Sequence, residues 1–202
     1  MNKSIRMGAA GAALAAALAF AGAAQAADNA TATATAEVVK PLTLVKDVDL
    51  DFGKLVVAGA GTVDVATDGT ATCSANITCY STTTAAAFTV TEGTIGKEVK
   101  FSLPSGSIDL VRIGAIDPGT GFAASDVIVL DTLVTDATQN TIFDTDGITV
   151  LGYYYTVNLV DDGSGTNGTE SFAIGGTANL DGSEVEGVYE NTTDLSITVE
   201  YS

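Results

Sequence analysis

The sequence predicts an all-β protein folded as a two-sheet β-sandwich. Short runs of alternating polar and apolar residues are separated by glycine, aspartate and asparagine, which is typical of strands joined by tight turns. No long stretch carries apolar residues at a helical period. Nine or so strands result, enough for two packed sheets. The clearest runs are Leu42–Phe52, Thr62–Ala66, Ala87–Thr91, Val99–Leu103, Ile108–Ile113, Val127–Val134, Ile148–Leu159, Ser171–Leu180 and Leu195–Tyr201.

Residues 1–26 have the composition of a cleaved signal peptide. Lys3 and Arg6 precede an apolar run that continues to about Ala24, and residues 24–26 form a small-x-small cleavage site. A transmembrane anchor is the alternative, but the run falls short of the roughly 20 residues that span a bilayer, and alanine is only weakly hydrophobic. We expect cleavage after Ala26, export through the inner membrane, and no membrane segment in the mature protein.

The mature chain is strongly acidic. Removing residues 1–26 leaves 176 residues and takes away two of the eight basic residues and none of the 25 acidic ones, so the net charge changes from −17 to −19. Such a chain repels nucleic-acid phosphates and anionic lipid head groups, so neither is an expected partner. The sequence contains no histidine, the commonest general base and transition-metal ligand. We expect no catalytic residues, no metal site and no cofactor.

Residues 27–40 form an extended arm ahead of a single sandwich domain, residues 41–202. Small apolar residues alternate with threonine here, and no turn residue folds the segment back. Pro41 ends the run because proline cannot donate a ladder hydrogen bond. The small apolar residues that share one face are Ala30, Ala32, Ala34, Ala36 and Val38.

The first strand of the domain, Leu42–Phe52, has an apolar face interrupted only by Lys46. The apolar residues of that face are Leu42, Leu44, Val48, Leu50 and Phe52. Asp47, Asp49 and Asp51 occupy the other face, where they could bind calcium. Successive residues of one face stand almost 7 Å apart, however, too far to share an ion without loop ligands. Residues 144–147 begin like a calcium loop but lack the acidic continuation of an EF-hand, so we expect a turn.

The two cysteines, Cys73 and Cys79, are expected to form a disulfide that closes a small loop in an exported chain. Two free thiols are the alternative. A zinc site would need two more good ligands, and the chain offers no histidine or further cysteine. A short closed loop contributes about 2–3 kcal/mol at best, so the bridge pins a turn more than it holds the fold.

The last predicted strand is as regular as the arm. Its apolar face consists of Leu195, Ile197, Val199 and Tyr201, and Gly187 lies fourteen positions before the penultimate Tyr201. Arm and last strand could be two ordinary edge strands of a closed sandwich. Alternatively, the arm of one subunit could complete the sheet of the next, with ladder hydrogen bonds supplying affinity and alternate side chains supplying register. Head-to-tail addition of this kind does not close, so it makes a filament.

Both ends of the chain resemble chaperone–usher pilins, which have an alternating N-terminal arm and a last strand with a penultimate tyrosine preceded by a glycine. The mature chain is also similar, most strongly at its ends and weakly from about Gly93 to Tyr155, to the family called domain of unknown function 4402. The motifs that carry this resemblance are the Ala/Thr run, Lys40-Pro41-Leu42-Thr43-Leu44, Leu50-Asp51-Phe52-Gly53, Ile174-Gly175-Gly176 and Gly187-Val188-Tyr189.

The resemblance implies an incomplete immunoglobulin-like, pilin-like sandwich in a Gram-negative bacterium, with a periplasmic chaperone and an outer-membrane usher as partners. The chaperone would bind along Leu195–Tyr201, and Ala30–Val38 would displace it in the next subunit. Pilins often join distant strands by their disulfide, whereas Cys73 and Cys79 are close together in sequence. The strand equivalences in that region therefore do not carry over.

The leading functional prediction is a structural subunit of a surface fimbria or pilus, a head-to-tail homopolymer that serves adhesion or biofilm formation. A monomeric secreted module that binds carbohydrate, or binds in a calcium-dependent manner, is the alternative. Exposed aromatic rings favour sugar binding, and residues 153–155 are the only aromatic cluster in the sequence. Core packing explains at least one of those three rings. An enzyme is the third hypothesis, since paired carboxylates can serve glycoside hydrolysis. No nucleophile elbow, phosphate loop or metal cluster is present, so we expect no enzyme.

Overall fold

The computed structural model describes residues 31–202; the predicted signal peptide and Ala30 lie outside the described residues. Apart from one turn of 3-10 helix, Ala124–Asp126, the regular elements are strands. Their bounds are β1 Thr43–Val48, β2 Lys54–Val57, β3 Gly61–Val65, β4 Ala71–Cys73, β5 Ile77–Tyr80, β6 Ala86–Gly93, β7 Glu98–Phe101, β8 Ile108–Arg112, β9 Val127–Thr135, β10 Thr138–Phe143, β11 Val150–Asn158, β12 Val160–Asp161, β13 Gly168–Leu180, β14 Tyr189–Glu190 and β15 Val199–Tyr201.

The strands form one large antiparallel sheet, one smaller sheet and one two-stranded sheet. The large sheet has the order β1-β6-β13-β9-β8-β14, with β3 and β12 also pairing with β13, and β4 pairing with β3. The smaller sheet has the order β10-β11-β7-β15, and β2 pairs with β5. The all-β class is confirmed, and the arrangement agrees with a β-sandwich.

The main core lies between the large and the smaller sheet. Phe172 of β13 stacks on Phe101 of β7 at a centroid distance of 4.1 Å and on Phe88 of β6 at 5.5 Å. Val90 and Val99 are fully buried beside these rings. In β6, buried positions alternate with partly buried ones, as the sequence pattern predicted. A second cluster packs against β2 and β5; its buried members are Val63, Ile77, Ile128, Ala178 and Leu180.

The predicted apolar face of the first strand is correct except at Val48. A bulge between Lys46 and Val48 shifts the pairing with β6, so that Lys46 lies opposite Phe88 and Val48 lies opposite Ala87. One extra residue reverses the alternation of a strand, because successive side chains point to opposite faces. Val48 is therefore 40% exposed instead of buried. The predicted long strand ends at the same point, and β2 begins after Gly53.

The predicted disulfide is confirmed. Cys73 is the last residue of β4, Cys79 belongs to β5, and their Cα atoms are 6.3 Å apart. Both residues pack against the second core cluster. The bridge thus ties the two-stranded β2–β5 sheet to the large sheet through β4.

Gly175 in β13 is a position where no side chain fits. A Cβ built there would overlap the carbonyl oxygen of Val65 on β3 and would lie 3.0 Å from the carbonyl carbon of Ala66. The strands come this close because Gly176 pairs directly with Val65. The Gly175-Gly176 pair singled out in the sequence therefore has a packing explanation.

Residues 31–37 belong to no strand, and their side chains are exposed. All the strands belong to the compact unit Val38–Ser202. Within residues 31–202, no helix is long and apolar enough to cross a membrane.

Candidate functional site

Each of the two packed sheets ends in a strand that has only one ladder partner. β1 pairs with β6 and ends the large sheet, and β15 pairs with β7 and ends the smaller sheet. Among the described residues, no ladder joins the outer edge of β1 to that of β15. We call these two outer edges and the apolar side chains between them the open seam. Its unpaired backbone groups are available to an added strand.

A hydrogen-bond network around Tyr201 holds the two strands together at one end of the open seam. The Tyr201 hydroxyl donates to the carbonyl oxygen of Lys40, 2.8 Å away, and accepts from the backbone N–H of Thr94 at 2.9 Å. The backbone N–H of Lys40 donates to Oγ1 of Thr94, also at 2.9 Å. The last strand is thereby fixed against the residues that lead into β1.

Gly93 lets the two strands meet at this point. A Cβ on Gly93 would stand 2.9 Å from Cδ2 of Leu42 and 3.3 Å from the Tyr201 hydroxyl, and it would overlap Leu159. The missing side chain gives Leu42 and Tyr201 their place against the core. Both belong to the apolar rows that the sequence predicted.

Apolar side chains from both strands line the open seam. They pack against the main core on their inner side, yet each is only partly buried. The members are Leu42, Leu44 and Leu50 from the β1 side and Leu195, Ile197, Val199 and Tyr201 from the C-terminal side. Further burial of these side chains would be favourable by roughly 25 cal/mol per Å² of apolar area.

The C-terminal segment has the predicted alternation but only a short ladder. Leu195, Ile197 and Val199 are partly buried, and Ser196 and Thr198 between them are exposed. Only Val199–Tyr201 pairs with β7, and residues 195–198 belong to no strand. The segment thus has the alternating exposure of a strand, but its ladder hydrogen bonds begin only at Val199.

The predicted arm residues in the described part of the chain also form no strand. Ala32, Ala34 and Ala36 are exposed, and Val38 is 93% exposed. Ala30, the first residue of the predicted arm face, lies outside the described residues.

Gly187 lies on the large sheet and not beside the last strand. A Cβ on Gly187 would be 2.6 Å from Cδ of Arg112, the last residue of β8. Nε of Arg112 donates to Asp126 at 2.6 Å, and this ion pair is mostly buried. Sequence reasoning missed the pair; the one signal for it was that Arg112 is the only arginine after residue 26. Burial raises the pKa of Tyr189, whose hydroxyl donates to nearby carbonyl oxygens.

A groove of about 810 Å³ lies on the outer face of the smaller sheet. Tyr154 lines one wall, and the outward side chains of the C-terminal segment line the other. Lys100 and Glu200 form a partly exposed ion pair at 3.3 Å within it, which contributes little to stability. Of the neighbouring tyrosines, Tyr155 stacks on Phe101 at 5.8 Å, as expected for a core ring, and Tyr153 is exposed.

The exposed aspartates of the turns accept hydrogen bonds from backbone N–H groups of the same turn. Asp146 accepts hydrogen bonds from the N–H groups of Ile148 and Thr149 at 2.8 Å and from the Thr149 hydroxyl at 2.6 Å. These bonds, chiefly those from Thr149, keep the pKa of Asp146 below its usual value. The prediction of a turn at residues 144–147 is confirmed. Within residues 31–202, no three acidic or cysteine side chains converge to hold a metal ion.

Residues 42–201 match the family model described as domain of unknown function (DUF4402). The chain belongs to this family. The match starts at Leu42 and ends at Tyr201, so the DUF4402 domain contains both strands of the open seam and leaves out the predicted arm. No curated protein and no solved structure was found to match the chain.

Proposed function

We propose that this DUF4402 protein is a structural subunit of a surface fimbria or pilus, assembled head to tail by donation of its N-terminal arm to the open seam of the next copy. The observation that carries the proposal is the pair of unpaired strand edges lined with half-buried apolar side chains. In this proposal the chain is exported through the inner membrane and passes the periplasm with a chaperone. It reaches the cell surface through an outer-membrane usher and serves adhesion or biofilm formation there.

The arm has the length that the open seam requires. At about 3.3 Å per residue, the eight steps from Ala30 to Val38 span about 26 Å. The six steps from Leu195 to Tyr201 span about 20 Å. One arm can therefore run along the whole C-terminal edge and still leave Val39 to Pro41 as a connection to its own β1.

The arm also has the periodicity that the open seam requires. In an added strand, the alanine face and Val38 would point to the half-buried apolar rows, and the threonines would point to solvent. Each alanine methyl contributes only about 0.8 kcal/mol. Ladder hydrogen bonds and the covering of acceptor side chains such as Leu44, Ile197 and Val199 would supply most of the stabilisation. A chaperone that occupies the same edge beforehand would prevent premature pairing.

A deletion tests whether the arm is needed for assembly. Mature protein, residues 27–202, is produced in a periplasm with and without residues 29–39 and compared by negative-stain microscopy and light scattering. We expect filaments, or ladders that resist mild denaturation, from the full chain and none from the shortened one. Identical stable monomers from both chains would refute the proposal.

A matched pair of substitutions tests the face on which the arm inserts. Ala34→Lys places a long charged side chain on the inward face and should prevent filaments. Thr35→Lys adds the same charge one residue later, on the outward face, and should leave them intact. Equal effects of the two substitutions would show that the arm does not act as an inserted strand.

The groove beside Tyr154 favours a second candidate, a monomeric secreted module that binds carbohydrate. An aromatic ring together with hydroxyl and carboxylate side chains is a common lining of sugar sites. In that case deletion of residues 29–39 would leave glycan binding unchanged, whereas Tyr154→Ala would abolish it on a glycan array.

A further inference from the structure

The β10–β11 hairpin exposes an unusual amount of apolar surface for so acidic a chain. Ile148 is 81% exposed, Leu151 is 63% exposed, and Phe143 is 52% exposed and lies directly opposite Val150. Val150 points to one face of β11 and Leu151 and Tyr153 to the other, so both faces of the hairpin end carry exposed apolar side chains. We call this surface the hairpin tip; it consists of Phe143, Ile148, Val150, Leu151 and Tyr153.

The hairpin tip lies at the opposite end of the smaller sheet from the Tyr201 network. Val99 of β7 pairs with both Val157 of β11 and Tyr201 of β15, so these three residues stand at one level. Val150 precedes Val157 by seven residues, which corresponds to about 23 Å along the strand. Residues 150–154 pair only with β10, because β7 ends at Phe101, and the tip projects beyond the rest of the sheet.

The opposite end of the protein offers a complementary surface. Ile95 and Val160 are exposed there, and the N–H of Gly96 donates to the carbonyl oxygen of Leu159 between them. Nζ of Lys40 reaches the same place, where it donates to Oδ1 of Asn167 at 2.9 Å. We call this surface the base; it consists of Lys40, Ile95, Val160 and Asn167.

Both surfaces carry charges beside their apolar side chains. The loop of the hairpin tip carries Asp144 and Asp146, both exposed, and the base carries Lys40 with the exposed Asp161 and Asp162 next to it. Hydrogen bonds from Ser164, together with the charge of Lys40, lower the pKa of Asp162, so Lys40 has an acidic partner in its own chain. A contact between the two surfaces would therefore be driven by burial of the apolar side chains and not by opposite charges.

We propose that the hairpin tip of one copy packs against the base of the next copy in the filament; this inference rests on the proposed function. β15 runs toward the base, so an arm that adds antiparallel to β15 runs toward the tip end and leaves the open seam there. The chain then enters its own β1, which begins at the base. The base of the donor is thereby brought to the tip end of the acceptor.

The opposite arm direction would bring two bases together. In that arrangement the donor would meet the acceptor's own chain where it enters at Lys40, held there by Tyr201 and Thr94. The tip-to-base contact therefore follows from the strand directions, and it accounts for an apolar surface that the single copy leaves exposed.

Photo-crosslinking in assembled filaments tests the inference. A photoreactive amino acid replaces Leu151 in the full mature chain, and mass spectrometry identifies the linked peptides. We expect crosslinks to residues 94–97 or 158–168 of another copy. The control replaces Ser171, an exposed residue in the middle of the large sheet, and should give no crosslink to those segments.

The outcomes separate this inference from the proposed function. Filaments in which Leu151 crosslinks to other regions, to another protein, or not at all would overturn the tip-to-base contact and leave strand donation standing. Absence of filaments from the unsubstituted chain would refute the proposed function and this inference with it.

Discussion

The hydrogen bonds of the Tyr201 hydroxyl allow a prediction of how much this group contributes to the free energy of unfolding. Tyr201→Phe removes one hydrogen bond to the Lys40 carbonyl oxygen and one from the Thr94 N–H and leaves the ring in place. Each such bond contributes about 0.5–1.5 kcal/mol net. Two bonds together would contribute about 1–3 kcal/mol. Because the side chain is only partly buried, we expect the free energy of unfolding to fall by an amount in the lower half of that range, about 1–2 kcal/mol. For a chain of this size the melting temperature should fall by about 2–8 °C.

Urea unfolding followed by tyrosine fluorescence measures the change, since the chain contains no tryptophan. Tyr153→Phe is the matched control, because Tyr153 is half exposed and its hydroxyl has no hydrogen bond within the described residues. A loss below about 0.3 kcal/mol for Tyr201→Phe, or an equal loss for the control, would refute the idea that this hydroxyl fastens the last strand to the start of β1.

Three further predictions concern the sandwich itself. Gly175→Ala should lower the free energy of unfolding by about 2–3 kcal/mol in urea titrations, because its methyl group would overlap the Val65 carbonyl oxygen. Opening the Cys73–Cys79 bridge with a reductant should cost about 2 kcal/mol, the loop-entropy value for a ring this small. Hydrogen bonds within its turn lower the pKa of Asp146, so the ionised carboxylate stabilises the fold. This stabilisation is fully present above the unfolded pKa of about 3.9 and is lost as the pH falls below it. The urea concentration at the unfolding midpoint should therefore decrease when the pH is lowered below about 4.

Each of these predictions has a control. Gly152→Ala should change stability far less than Gly175→Ala, because a Cβ at Gly152 meets no atom within 4 Å. Cys73→Ser together with Cys79→Ser should reproduce the effect of the reductant. Asp146→Asn should flatten the loss of stability at low pH, and an unchanged pH profile would contradict the assigned role of this turn.

Local patterns in the sequence were sufficient for the fold class. The alternation in residues such as Phe88, Val90 and Phe172 has a period of two, which is a property of a strand alone. The disulfide was predictable for a similar reason, since Cys73 and Cys79 are close in sequence and have no competing partner.

The sequence did not predict which strands pair with one another. β13 pairs with β3, β6 and β9, and these partners are chosen by packing among segments far apart in the chain. The misplacement of Val48 came from a single-residue bulge, which no feature of the run Leu42–Phe52 signals. The Arg112–Asp126 ion pair depends on where β8 meets the 3-10 turn; the lone Arg112 marked a residue of interest, but nothing in the sequence identified Asp126 as its partner.

The sequence predicted each apolar side chain of the open seam, but it did not predict that the two strands carrying them come together. Leu44 and Ile197 each belong to an alternating run, which predicts a strand with one buried and one exposed face. That these two runs meet at one end depends on the Tyr201 network and on the space at Gly93. The sequence predicted a strand over Ile148–Leu159 but neither β10 nor the exposure of the hairpin tip, because sequence alternation does not show what covers a surface.

Hydrogen exchange at Leu195–Thr198 tests strand donation most directly. These residues belong to no ladder in the single copy, so their amides should exchange rapidly in the chain lacking residues 29–39. In filaments, an added strand that contributes 2–3 kcal/mol locally should slow that exchange by about 100-fold, while the exposed residues Ser81 and Thr82 of the loop before β6 should stay fast in both. Protection of Leu195–Thr198 in filaments alone is the predicted result. Filaments in which these amides exchange as fast as in the shortened chain would contradict assembly through the open seam.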